Sequence, residues 1–423
     1  MWTRYGCGVQ ISHKLHLNRC MKAFRQHLTE AVKSAEGKNL HLEHIEDEII
    51  NSGYAGFRAA ANAVLGVMDS LRASAPSNYD ITVKWDGAPA IICGVDPESR
   101  RFFVGTKSVF NVTPKLNFTP KDIDENHPAA GLNEKLKLAL KHLPKLGISG
   151  ILQGDFLFDK SMLKRETIDG KRYLTFQANT INYAVDTKSR LAGKMAAAQM
   201  GIVFHTAYDG DSMQTLRARF NPDISGLKKT RDVWYDNATM RMVNGNGLFT
   251  DADRVSVANA LVDLEKKAKD LSGLFRLLSR DEGLRLQLKT YINTLVRAGK
   301  IGGDADGFAH FVQGKAEATR KKPSTKKVPT YETIRKNRNQ FNRLFALHTA
   351  LGGVKMVVLG KMNKIESEVS SFVRDGKGYR VTTPEGFVAI DRISNNAIKL
   401  VDRLDFSRTN FTLQKDWKRK EPV

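Results

Sequence analysis

Apolar residues recur at helical spacing through residues 54–71, where Phe57, Val64, Leu65, Met68 and Leu71 share one stripe. A helix facing a core needs that arrangement. After Pro76 the period changes: Ile81-Thr82-Val83 and Ala90-Ile91-Ile92 flank a Gly-Ala-Pro turn. The pattern predicts strand, turn, strand. Further strands are expected at 102–104, 151–158, 173–177 and 201–206, with a helix at 132–143. Helical periodicity returns with many charges at 255–277 and 282–298, and strand patterning at 379–390 and 397–401. Ahead of all this, residues 21–33 form an amphipathic helix candidate with Phe24, Leu28 and Val32 on one face.

These periods describe an α+β chain without internal repeats: a core of antiparallel sheets with flanking helices, interrupted by a helical insertion. The expected division is a partly disordered head at 1–38, a first core part at 39–211, a basic helical insertion at 212–375, a second core part at 376–412 and a basic tail at 413–423.

Composition narrows the function classes. Hydrophobic residues make up 41% of the 423, enough for an ordinary globular core. No apolar run approaches the ~20 residues of a membrane span, so no membrane partner is expected. The three cysteines, Cys7, Cys20 and Cys93, lack disulfide or zinc spacing, which fits a reducing cytosol. A formal charge of +22 and a pI near 9.8 point to a polyanionic partner. The densest basic stretch, 315–343, holds ten Lys or Arg against two Glu and is flanked or interspersed by Tyr331, Phe341 and Phe345. His41 and His44 have helical metal-ligand spacing beside Glu43 and Glu46. With no third ligand evident, a solvated helix end is the reading.

The candidate chemistry starts at Lys84-Trp85-Asp86-Gly87. A lysine fixed by a strand end, with glycine opening a close turn, suits covalent attack on a phosphate. The amine must be neutral to attack, which calls for a lowered pKa. A plain hairpin turn with an exposed lysine is the competing reading. Five segments follow in order: Thr106-Lys107-Ser108, Gln153-Gly154-Asp155-Phe156, Gly201 to His205, Pro384-Glu385-Gly386-Phe387-Val388, and Ala397-Ile398-Lys399-Leu400-Val401.

In that order the segments resemble the motifs of the covalent nucleotidyltransferases, the superfamily of ATP-dependent DNA and RNA ligases and mRNA capping enzymes. The resemblance implies that Lys84 forms a lysyl-AMP and that Asp86 orients it or accepts from the substrate. Gly87 and Lys107 would lie against the nucleotide. Asp155, where the family ordinarily has Glu, would meet a ribose hydroxyl or a metal. Phe204, with Phe176 as rival, would stack on the purine. Glu385 would bind Mg²⁺ or Mn²⁺, and Lys399 would stabilise the leaving group. The fifth motif is usually Lys-x-Lys; Val stands at 401, and Arg403 could substitute only from a different backbone position.

Only twenty residues follow Arg403, too few for the OB-fold that DNA ligases and capping enzymes carry. The chain is therefore most similar to the RNA ligases of tailed phages. That likeness implies ATP as cosubstrate and 5′-phosphate and 3′-hydroxyl ends of RNA, in preference to DNA, as partners. Residues 315–343 would be the grip, in a cytoplasmic setting (the host's, if viral). A capping-like nucleotidyltransferase and a nucleic-acid-binding protein on a decayed ligase fold stay open as alternatives.

Overall fold

The computed structural model describes residues 42–72, 77–240, 248–319, 328–365, 369–375, 378–382 and 384–404. The helix candidate at 21–33, the head, the tail and the basic run 320–327 lie outside the described residues.

The strands, in chain order, are β1 (Tyr79–Lys84), β2 (Ala90–Val95), β3 (Phe102–Gly105), β4 (Ile151–Asp159), β5 (Lys164–Ile168), β6 (Lys171–Gln177), β7 (Asn182–Asp186), β8 (Met200–Asp209), β9 (Arg217–Phe220), β10 (Val233–Asn237), β11 (Val369–Asp375), β12 (Gly378–Thr382), β13 (Gly386–Asp391) and β14 (Ala397–Val401). The helices are α1 (Glu48–Ser70), α2 (Pro120–Asn126), α3 (Ala130–His142), α4 (Arg190–Ala197), α5 (Asp251–Lys269), α6 (Ser272–Arg280), α7 (Glu282–Arg297), α8 (Ala305–Thr319), α9 (Pro329–Lys336) and α10 (Arg338–Met362).

The fold is α+β, with three sheets that are antiparallel except where β10 runs parallel to β8. A small sheet has the order β1-β13-β14. The largest runs β10-β8-β4-β2-β3 with β9 on β8, and the third runs β12-β11-β7-β6-β5. The apolar runs of β2, β4 and β8 are buried on both faces, as near-continuous hydrophobic strands require. One face of the largest sheet packs under α3 through Ile91, Leu136, Phe156 and Ile202. Its other face meets the third sheet through Leu157, Val203, Phe176, Tyr183 and Val185.

The helical segment is narrower than 212–375. Because β9 and β10 pair with β8, and β11 pairs with β7, only α5 to α10 stand outside the sheets. Nor is it a separate lobe. Its core is continuous with α1, through Phe57, Val64 and Met68, and with the underside of the small sheet, through Phe387, Ala389, Ile398 and Leu400. Helix α10 is long and apolar enough to cross a membrane by length and composition. Here Phe341, Leu344, Leu351 and Leu359 are buried in that shared core.

Candidate active site

Strand β1 delivers Lys84 to the edge of the small sheet, where the register sets it opposite Gly386 on β13. Glu385 is therefore the neighbour across the strands. Its Oε2 accepts from Lys84 Nζ at 2.6 Å, although the two residues are 301 apart in sequence. Glu385 is buried at 6%, whereas the Lys84 side chain keeps 32% of its surface open. Gly386 sits at φ 154°, and a Cβ there would lie 2.4 Å from the Leu400 carbonyl, so only glycine lets β13 and β14 close up at this point.

Past Lys84 the chain turns onto the largest sheet. A Cβ on Gly87 would stand 2.6 Å from the Asp155 Cβ and 2.8 Å from the Phe156 carbonyl oxygen. The glycine thus brings the Lys84 turn into contact with β4 at Asp155. The Ala88 N–H donates to Phe156 O at 2.9 Å, and Lys135 of α3 donates to Ala88 O at 2.9 Å.

The site's electrostatics follow. Burial pulls the Lys84 ammonium down, but the carboxylates of Glu385, Asp155 and Asp86 outweigh it and hold its pKa above the ordinary lysine value. This reverses the lowered pKa expected of the nucleophile, because three acids converge on one amine. Burial raises Glu385 above the usual carboxylate range despite Lys84 beside it. Lys107, in a short 3₁₀ turn capped by Thr106, is lowered by burial and by Lys84, with Asp155 opposing. Lys399 on β14 is pushed down to about 8, first by burial and then by the charge of Lys84. Lys84, Gly87, Lys107, Asp155, Glu385 and Lys399 thus come from five separate strands or turns to one locus.

Three sequence expectations need correction. Asp86 is not free for substrate. It is 3% exposed and accepts from Asn179 Nδ2 at 2.8 Å, Thr180 N at 2.6 Å and Ile181 N at 2.8 Å, so it ties the Lys84 turn to the loop entering β7. Its own N–H donates to the Tyr183 hydroxyl at 2.7 Å.

Phe204 is wholly buried in the core under α3, on the sheet face opposite Asp155, because side chains alternate along β8. Phe176 is also buried, between the sheets. Neither offers a ring to the locus. His205 does. The β4–β8 register skips it, so it is the extra residue of a bulge, a device that re-aims side chains. Its Nε2 lies 3.8 Å from Asp155 Oδ1, and its Nδ1 is 2.8 Å from Thr206 Oγ1.

The third correction concerns residues 44–47. They are not a solvated helix end. Glu46 accepts from Lys355 at 2.9 Å through both oxygens, and Asp47 accepts from Arg403 at 2.7 Å and pairs with His348 at 2.9 Å. All five side chains are buried. Arg403 also donates to Asn293 Oδ1 at 2.9 Å and cannot serve as the second lysine of the fifth motif. The cluster borders the site: the Lys399 N–H donates to Glu43 O at 3.1 Å, and His44 bridges Lys399 along the strand. Burial, Lys399 and Arg403 together hold His44 well below the ordinary histidine range.

Among the described residues, no three His, Cys, Asp or Glu side chains converge as a preformed metal site. Glu385 and Asp155 suit an ion that shares its shell with substrate phosphate, the usual habit of Mg²⁺.

No curated protein matches the chain, and no solved structure does. The sequence signature of a family of unknown function, DUF6267, spans residues 39–415, and the chain belongs to that family.

Proposed function

We propose that this chain is an ATP-dependent polynucleotide ligase on a ligase-type nucleotidyltransferase core, acting through a lysyl-AMP on Lys84, with RNA ends as the favoured substrate. The observation that carries the reading is the Lys84–Glu385 contact at 2.6 Å, with Asp155, Lys107 and Lys399 around it. Those residues stand on the motifs the sequence arranges in superfamily order.

The chemistry follows from this chain's own groups. Lys84 begins protonated. Glu385 accepts its hydrogen bond at 2.6 Å and, with Asp155, holds the amine protonated; the proton leaves to solvent once those carboxylates are neutralised. The freed amine forms an N–P bond with the α-phosphorus of ATP as the bond to pyrophosphate breaks. Glu385 and Asp155 would hold a divalent ion, which would offset phosphate charge there. Neutralising those two carboxylates removes the charges that keep Lys84 protonated. Lys399 and Lys107 face the charge that develops on the departing pyrophosphate. His205, in place of Phe204, offers a ring to the nucleotide. The AMP then moves to a 5′-phosphate, and a 3′-hydroxyl displaces it to close the strand.

The test is incubation with α-labelled ATP and Mg²⁺, followed by a chase with 5′-phosphorylated RNA and with nicked duplex. Label on the protein that passes to an RNA 5′ end, with sealed product, supports the reading. Label that never leaves the protein limits it to the first step. Absence of any label sinks it and favours binding on a decayed fold.

A further inference from the structure

We propose that the β5–β6 hairpin is the polynucleotide grip, a surface for the phosphate backbone of a single strand. The inference rests on the ligase reading only for what happens at the end of that strand.

The hairpin carries Lys164 and Arg165 on β5 and Lys171 and Arg172 on β6, all exposed. Among the described residues none of the four has an ion-pair partner. Of the two acids between them, Glu166 is engaged by the Thr175 hydroxyl at 2.5 Å, and Asp169 sits in the turn at φ 49°. The Thr187 N–H donates to Arg172 O at 3.1 Å, which brings exposed Lys188 alongside. The third sheet ends at β5, so Lys164 and Arg165 lie on an open edge strand and Lys171 and Arg172 on the strand beside it.

Their placement points toward the site. Arg165 pairs with Leu174, and Arg172 with Thr167, so both arginines share the sheet face of Leu174, Phe176 and Tyr183. That is the face that holds the Lys84 turn: Tyr183 accepts from Asp86 N and packs on Trp85 with ring centroids 5.0 Å apart. One strand, β6, separates β5 from β7, so the lateral offset is on the order of 10 Å. That face is covered by the largest sheet, so the exposed arginines stand at its rim, where a strand whose end reaches Lys84 would meet them within a few nucleotides.

Within 315–343, the described residues 328–343 and the neighbouring Phe345 fit the role less well. Arg335 and Arg338 are both committed to Asp306, and Phe341 and Phe345 are core residues at 0% and 3% exposure, closed to base stacking. A membrane surface is disfavoured at the hairpin, since none of the large exposed apolar side chains among the described residues lies on it. Arginine forks match phosphate oxygens in pairs.

The experiment measures anisotropy of a 5′-phosphorylated, mixed-sequence oligoribonucleotide across a salt series. It compares the full chain, a hairpin variant (Lys164→Thr, Arg165→Thr, Lys171→Thr, Arg172→Thr) and a control with four exposed cations of the helical segment replaced (Lys267→Ser, Arg276→Ser, Arg280→Ser, Lys300→Ser). The double variant Arg165→Gln/Arg172→Gln serves if the quadruple one fails to fold. The hairpin variant is expected to lose tenfold or more in affinity at low salt. Its log K against log salt should flatten by up to ~3, about 0.7 for each phosphate no longer neutralised. Labelling by ATP stays as in wild type, and the control keeps its RNA affinity. The proposal is overturned if the hairpin variants keep wild-type affinity and slope, or if the control loses as much. It is also overturned if hairpin-dependent binding appears on phosphatidylserine vesicles and not on RNA. Hairpin-dependent RNA binding without any Lys84 label would leave the grip standing and remove the ligase.

Discussion

Two clusters of charged side chains lie side by side on either side of β14, and they differ in how completely their charges are matched. In the inner one, Lys355 meets both oxygens of Glu46, and Arg403 and His348 meet Asp47, all at 2–7% exposure. Every charge there has a committed partner, and together they bind α10 and α7 to the segment before α1 and to the end of β14. In the outer one, Lys84 has Glu385 but also feels Asp155 and Asp86, while Lys399 and Lys107 are driven down by burial and by Lys84. That cluster is open to solvent at Lys84. Closed, matched charge is architecture; open charge, with amines and acids displaced from their ordinary ranges, is where chemistry is to be sought.

Breaking the two clusters should have opposite signatures. Glu385→Gln is expected to fold normally and to lower the rate of lysine adduct formation by roughly 10²–10³, the usual cost of removing one preorganised electrostatic partner. The check is single-turnover labelling beside a thermal melt. Lys355→Met is expected to cost about 3–5 kcal/mol of stability, because it strands a buried carboxylate at Glu46. Urea unfolding measures it. Lys355→Met/Glu46→Met should recover most of that loss, since an apolar replacement removes the stranded charge.

Much of this contrast was hidden from the sequence, for identifiable reasons. Lys84 and Glu385 were legible because each sits at the end of an apolar strand close to a glycine, and Lys399 because it interrupts the apolar run AIKLV. The strands β5 (KRETI), β9 (RARF) and β10 (VWYDN) were not, because four or five residues are too few to set a period apart from their surroundings. Asp86 read as catalytic because its motif says so; that three donors of the 179–181 loop consume its carboxylate depends on a pairing ninety residues away. Phe204 and His205 differ by one position, and a bulge decides which faces Asp155. Nothing in a single sequence marks a bulge there. Glu46 read as part of a solvated helix end, and Arg403 as a stand-in for a motif lysine, because their partners lie hundreds of residues off.

A pH profile sharpens the difference further. Lys84, held above the ordinary range, becomes neutral only as pH rises, so kcat/KM for adduct formation should climb with pH. Lys399 loses its proton as pH passes about 8 in the free protein and with it its pull on phosphate. The climb should therefore flatten above that point. Lys399→Arg stays charged and should keep climbing. Identical profiles for the two proteins would show that Lys399 contributes no charge to the step.

The smallest effect separates neighbours on β8. Phe204→Leu should lower stability by about 1 kcal/mol, as a near volume-conserving core swap does, and leave ATP affinity alone. His205→Ala should do the reverse, weakening ATP severalfold with little change in the melt. Isothermal titration with a non-hydrolysable ATP analogue distinguishes them, and an affinity loss confined to Phe204→Leu would return that residue to the site.

The most direct measurement is the intact mass of the protein after ATP and Mg²⁺, followed by peptide mapping of the adduct. One AMP-sized addition, acid-labile and located on Lys84, absent from Lys84→Met with its fold intact, is the expected result. An equal adduct in Lys84→Met, or none in the wild-type chain under any divalent ion, would contradict the account.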